Sequence, residues 1–187
     1  MRLSNLMHGR PFRGRFGAVL AILILAACAL LVDRLTPAEP PVSGRARISD
    51  GDSFHLGDER IRLLGIDAPE LDQTCADAQG RDWTCGRTAR EKLVALVAGK
   101  SPLCQPHGHD RFGRILAACS VNGHDLGAQM VEAGLAISSD DYGHEESAAR
   151  NAKRGLWAGT FDSPRTWRDR HGREAETNAG WDWLPRF

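Results

Sequence analysis

Residues 46–66 read ARISDGDSFHLGDERIRLLGI, and this stretch decides the fold. Apolar and polar residues alternate in Ala46–Ile48, Ser53–Leu56 and Arg60–Ile66, the period of two that lays one face of a strand on a core. Between them stand Asp50-Gly51-Asp52 and Gly57-Asp58. Such residues turn a chain because glycine accepts positive φ and aspartate bonds nearby backbone. The stretch therefore predicts three strands in a meander.

Outward from it, the pattern changes to a helical period. Ala89, Leu93, Leu96 and Val97 share one face of a helix predicted from a Thr84 cap through Ala98, with Gly99 as its stop. Leu103–Gln105 and Arg114–Val121 predict two more strands, joined by the polar loop PHGHDRFG and followed by an Asn122-Gly123 turn. A helix from Asp125 to Ala133 would present Leu126, Met130 and Ala133 together. Another opens with Glu145 and Glu146 and closes with Arg150, Lys153, Arg154 and Gly155, charges that complement its dipole. The order β-β-β-α-β-β-α-α describes an α+β fold, a five-stranded Greek-key barrel of the OB-fold type with three helices.

The 187 residues carry 24 Lys+Arg and 24 Asp+Glu, but the charge is unevenly placed. Residues 1–32 hold Arg2, Arg10, Arg13 and Arg15 and no acid, so the remainder is net acidic. A basic coat that binds nucleic acid by bulk attraction is excluded, and any phosphate must be held by a few placed arginines or a metal. Residues 1–15 read as a cytoplasmic basic segment. Residues 16–32, FGAVLAILILAACALLV, are an uninterrupted apolar run at the lower limit for spanning a bilayer, so a transmembrane or signal-anchor helix is expected, with the following chain outside. Cleavage near Ala27–Ala29 would make the protein secreted, and Leu25-Ala26-Ala27-Cys28 resembles a lipoprotein signal with Cys28 as acceptor. Residues 33–44, with three prolines, read as a linker, residues 45–168 as the folded domain and residues 169–187 as a loosely ordered tail.

Cys75, Cys85, Cys104 and Cys119 are an even set in the part expected to be exported. Of three possible connectivities, Cys75 with Cys85 and Cys104 with Cys119 each bracket a short loop, and that pairing is expected; a zinc site is the competing reading, without any C-x-x-C to favour it. The histidines and tryptophans are expected to be solvated or packing groups.

Three segments concentrate polar residues that a barrel does not need for folding: Asp50-Gly51-Asp52-Ser53, Arg62-Leu63-Leu64-Gly65-Ile66-Asp67-Ala68-Pro69-Glu70 and Asp110-Arg111-Phe112-Gly113-Arg114. They can meet at one rim of a barrel. Asp52 and Asp67 would then offer hard oxygens to a divalent cation such as calcium, Arg62 and Arg114 would grip phosphate oxygens, and Glu70 would take a proton from water. These are the parts that hydrolysis of an anionic phosphodiester requires.

The same three segments, with Arg154-Gly155-Leu156-Trp157 closing the last helix, resemble the staphylococcal nuclease (thermonuclease) family from about Arg45 to Trp157. The resemblance implies calcium-dependent hydrolysis of DNA and RNA, leaving 3′-phosphate ends. It implies Asp52 and Asp67 as calcium ligands, with the main-chain carbonyl of Ala68 where the family commonly has threonine. Arg62, Glu70 and Arg114 would be the catalytic residues of a monomer. Phe112 stands where tyrosine is usual, and Ile137-Ser138-Ser139-Asp140-Asp141 precedes Tyr142 where the type member has base-stacking aromatics. The alternative from another class is a non-catalytic barrel that binds single-stranded nucleic acid or a protein partner.

Overall fold

The computed structural model describes residues 12–35 and 39–179, with side chains for 17–29, 31 and 39–171. Two compact units are present, residues 1–38 and 39–187. The first contains helix α1 (Phe12–Leu35), whose apolar side chains from Val19 to Leu25 are exposed. Among the described residues no helix is long and apolar enough to cross a membrane. The transmembrane or signal-anchor helix expected over residues 16–32 lies partly outside the residues whose side chains are described.

In the second unit, β1 (Val42–Ser43), β2 (Ala46–Ile48), β3 (Ser53–Leu56), β4 (Glu59–Leu63) and β5 (Ile66–Asp67) come first. The short pair β6 (Cys75–Ala76) and β7 (Asp82–Trp83) precedes α2 (Cys85–Val97). There follow β8 (Leu103–His109), β9 (Ile115–Val121), β10 (His124–Asp125), α3 (Leu126–Glu132) and β11 (Ile137–Ser138). Last are α4 (Gly143–Asn151), a 3-10 turn (Gly155–Ala158) and α5 (Pro164–Ala179).

The main sheet has the order β1-β8-β9-β4-β3-β2, with β10 also on β9. The α+β class agrees with the sequence, and the two end strands of this ladder, β1 and β2, are separated in the chain only by Gly44-Arg45, so the sheet curls back toward itself as the partly open barrel expected of an OB-type fold. Val42–Ser43, expected in the linker, pairs with Leu103 and Cys104. The strand expected over Arg60–Ile66 divides in two because Gly65 sits at φ +78°, which takes β5 off the sheet to pair with β11. On β9, which falls within the strand expected over Arg114–Val121, Ile115, Ala117, Cys119 and Val121 point inward. They meet Phe54, Ile61 and Leu63 from the sheet and Ala89, Leu93, Leu126 and Met130 from α2 and α3. Burying each large apolar side chain contributes about 1.5–3 kcal/mol, which fixes where the strand ends lie.

Helix ends depart in detail from expectation. Thr84 holds the cap position of α2 but its side chain makes no cap hydrogen bond, whereas Asp125 caps α3 by accepting from the Ala128 amide at 2.8 Å. The helix expected to run to Gly155 stops at Asn151. Lys153 lies at φ +51°, and the amides of Lys153 and Arg154 return to the carbonyls of Arg150 and Ala149, which closes the helix in a left-handed cap. Residues 169–179 of the expected tail continue α5, and residues 180–187 lie outside the described residues. Both expected disulfides, Cys75–Cys85 and Cys104–Cys119, are present, the second joining register partners on β8 and β9. Cys28 is free and exposed.

Candidate active site

The cleft is assembled where the sheet's registers bring its polar ends together. In the turn before β3, Asp50 Oδ1 accepts from the amides of Asp52 at 3.0 Å and Ser53 at 2.7 Å, which aims Asp52 inward. Register places Ser53 opposite Arg62 and Ile61 opposite Ile115, so Asp52, Arg62 and the start of β9 become neighbours. The Asp52 side chain is only 5% exposed. Its Oδ1 accepts from Arg62 Nη1 at 3.0 Å and its Oδ2 from the Ala68 amide at 3.1 Å. Burial pushes this carboxyl up to about 7, against the attraction of the Arg62 guanidinium. Arg62 Nη2 also donates to Asp67 Oδ1 at 2.8 Å. One guanidinium thus clamps the two expected metal ligands, and its five N–H groups leave donors over for a phosphate.

Glu70 stands on the loop after β5, and that loop is shaped by residues whose sequence carried no signal. Gln73 is fully buried. Its Oε1 accepts from the Glu70 amide at 3.2 Å and its Nε2 donates to the Asp162 carbonyl at 2.8 Å. Gly86 at the start of α2 lies so close that a Cβ there would fall 1.6 Å from the Glu70 carbonyl oxygen. Only glycine permits this contact, and the Cys75–Cys85 disulfide binds the same loop to the same helix.

Arg114 is positioned by its own loop. Asp110 Oδ1 accepts from the amides of Phe112 at 2.8 Å and Arg114 at 3.0 Å, and Oδ2 accepts from Arg114 Nε at 2.7 Å. Burial favours the neutral acid, but these hydrogen bonds hold the Asp110 carboxyl down at about 2. Phe112 is 58% exposed, with the Arg111 guanidinium 4.7 Å from its ring centroid and Arg114 at 5.7 Å. Arg60 donates to the Phe112 carbonyl from the side.

Asp52, Arg62, Ala68, Glu70 and Arg114 line one cleft of about 540 Å³, together with Arg60, Arg111, Phe112 and Arg168. Asp67 joins it through Arg62 and Arg168. The residues singled out in the sequence are therefore brought together. Arg168, contributed by α5, was not foreseen, because a charged helix on the edge of an expected tail offers no local mark of a site.

Among the described residues, no group of three or more His, Cys, Asp and Glu side chains is gathered as metal ligands. The donor chemistry still fits a hard cation. Asp52 and Asp67 are carboxylates, the Ala68 carbonyl is adjacent in the chain, and a divalent charge would offset the burial that opposes Asp52 ionisation.

An α+β sheet whose strand ends gather carboxylates and guanidiniums into one cleft defines a domain suited to phosphate esters. The chain belongs to the staphylococcal nuclease family, whose model, described as staphylococcal nuclease homologue, matches residues 60–159. It is 33% identical over 148 residues to the succinoglycan biosynthesis protein ExoI of Rhizobium meliloti, covering 75% of this chain and 74% of that protein. It is 34% identical over 142 residues to an uncharacterized endonuclease of Escherichia coli, covering 70% and 86%. A rice protein named "Probable staphylococcal-like nuclease CAN3" is 35% identical over 127 residues, 64% of this chain but 31% of its own length.

Proposed function

We propose that the domain is a calcium-dependent endonuclease that hydrolyses phosphodiester bonds of DNA or RNA. The observation that carries this reading is the convergence of Asp52, Arg62, Glu70 and Arg114 on one cleft, in a chain of the staphylococcal nuclease family with endonuclease-named relatives. Calcium held by Asp52, Asp67 and the Ala68 carbonyl would supply positive charge against the anionic ester and the charge that grows on it. Arg114, whose Nε is fixed by Asp110, points its remaining donors at phosphate oxygens, and the spare donors of Arg62 act from the floor. Glu70 takes the proton of the attacking water, in a place set by Gln73 and Gly86.

Two disulfides suit an oxidising compartment, so we place the domain outside the cytoplasm, with the basic and apolar N-terminal segment as export signal or anchor. The decisive experiment is cleavage of labelled single-stranded DNA and RNA by the purified protein, with calcium or chelator, beside Glu70→Gln. Cleavage that needs calcium and falls by about 100-fold or more in the variant is expected. A folded protein that binds the strand and cuts neither polymer would make the barrel a recognition module.

A further inference from the structure

Arg168 reaches the cleft from outside the sheet. Its Nη1 donates to Glu70 Oε1 at 2.7 Å and to Asp67 Oδ1 at 3.2 Å, and its Nη2 donates to Asp67 Oδ2 at 3.1 Å. Both oxygens of Asp67 are therefore taken by guanidinium, since Oδ1 also accepts from Arg62. Burial works against the charge on Arg168, but these two carboxylates hold its pKa above its ordinary value.

The placement is built into the fold. The chain leading into α5 is tied to the Glu70 loop by the bond from buried Gln73 to the Asp162 carbonyl. Ala76 and Thr160 exchange amide bonds at 2.9 and 3.1 Å a few residues on. Ser163 then opens the helix, its Oγ accepting from the Thr166 amide at 3.1 Å, and Arg170 pairs back to Asp162 at 2.7 Å. Arg168 is consequently delivered to the carboxylates by a tethered helix rather than by a free chain end.

We propose that Arg168 is a tethered counter-cation that competes with the divalent metal for Asp67 while holding the Glu70 carboxylate, and so sets the metal affinity of the cleft. The inference rests on the reading of Asp67 as a metal ligand. A carboxylate oxygen cannot serve a guanidinium and a close divalent cation equally, and two positive charges at one carboxylate repel. Metal entry at Oδ2, the oxygen that Arg62 does not hold, thus requires Arg168 to leave Asp67. Its side chain is 41% exposed, so it has room to swing into the solvent of the cleft mouth.

Calorimetric titration of calcium into the full-length protein at fixed ionic strength tests this. Arg168→Gln should bind calcium about five- to tenfold more tightly than the unaltered chain, the size set by losing two partly exposed ion pairs. Arg168→Lys, which keeps the charge, should remain close to the unaltered chain. Arg170→Gln, on the same helix but paired to Asp162, should leave calcium affinity unchanged and so separates loss of competition from loosening of α5. Equal or weaker binding by Arg168→Gln overturns the proposal. Equal binding by both forms removes the competition but leaves the metal reading standing, whereas no calcium binding by either form removes both. Should Arg168→Gln fail to fold, the unaltered protein still answers. Its Arg168 Nε–H resonance should move as calcium is added, and an unmoved resonance while calcium binds overturns the proposal.

Discussion

At the floor of the cleft, Asp52 comes from the turn before β3, Arg62 from β4 and Asp67 from β5, and Arg62 holds the other two. At its rim, Arg114 is held by Asp110 within a single loop of five residues. The two arginines are similarly exposed, 20% and 23%, so accessibility does not separate them. What separates them is what is left behind if the guanidinium goes. Removing Arg62 strands a buried carboxylate beside a second one, while removing Arg114 leaves Asp110 with its two backbone amide donors. The floor therefore couples stability to the site, and the rim is free to serve substrate.

The largest expected effect follows directly. Arg62→Ala should destabilise the domain by about 3 kcal/mol or more in urea unfolding, and Arg114→Ala by less than about 1 kcal/mol, though both should depress cleavage strongly. Equal stability losses would break the contrast. Next in size, replacing Cys75 and Cys85 together by serine should cost about 2–4 kcal/mol and lower activity, since that bridge flanks the Glu70 loop. A melting temperature unmoved by the replacement would show that Gln73 and Gly86 hold the loop alone.

The pH dependence of stability separates floor from rim by sign. Asp52 has its pKa raised from 3.8 to about 7, so between those values the folded state keeps a proton that the unfolded chain has lost, and stability falls as pH rises through that window. Asp110 is held at about 2, so its contribution is present above the ordinary carboxylate range and lost as pH falls toward 2. Melting temperatures across pH 2–8 should show both limbs, and Asp52→Asn should flatten only the upper one. The smallest effect lies away from the cleft. Lys153→Gly should stabilise by about 1 kcal/mol, because a lysine holds the left-handed position at φ +51°. That change should leave cleavage untouched.

The rim was the legible part. In Asp110-Arg111-Phe112-Gly113-Arg114 the bonds that Asp110 makes to the loop all lie within four residues, so the order of residue types is almost a drawing of the geometry, and only the bond from Arg60 comes from afar. The Asp50 turn is similar. The floor could be guessed only as a set of residue types, since Asp52 meets Arg62 through a strand register and Asp67 turns in after Gly65 breaks the third strand. Neither Gln73 nor Gly86 had any local pattern to mark it, because what matters in each is a carbonyl or amide delivered from elsewhere in the chain.

By itself the sequence determined the alternation that makes the strands, the apolar faces of the helices, the two short-range disulfides and the residue types of the cleft. Such features depend on neighbours a few positions apart, and turn chemistry, helical period and short loop closure act over that range. Only the tertiary structure decided that Val42–Ser43 pairs with β8 while Ala46–Ile48 pairs with β3, that one guanidinium clamps Asp52 and Asp67, and that Arg168 enters from α5. Arg168 lies 98 residues from Glu70 and 101 from Asp67, and ion pairs over such separations exist only after the core has brought the elements carrying them into contact.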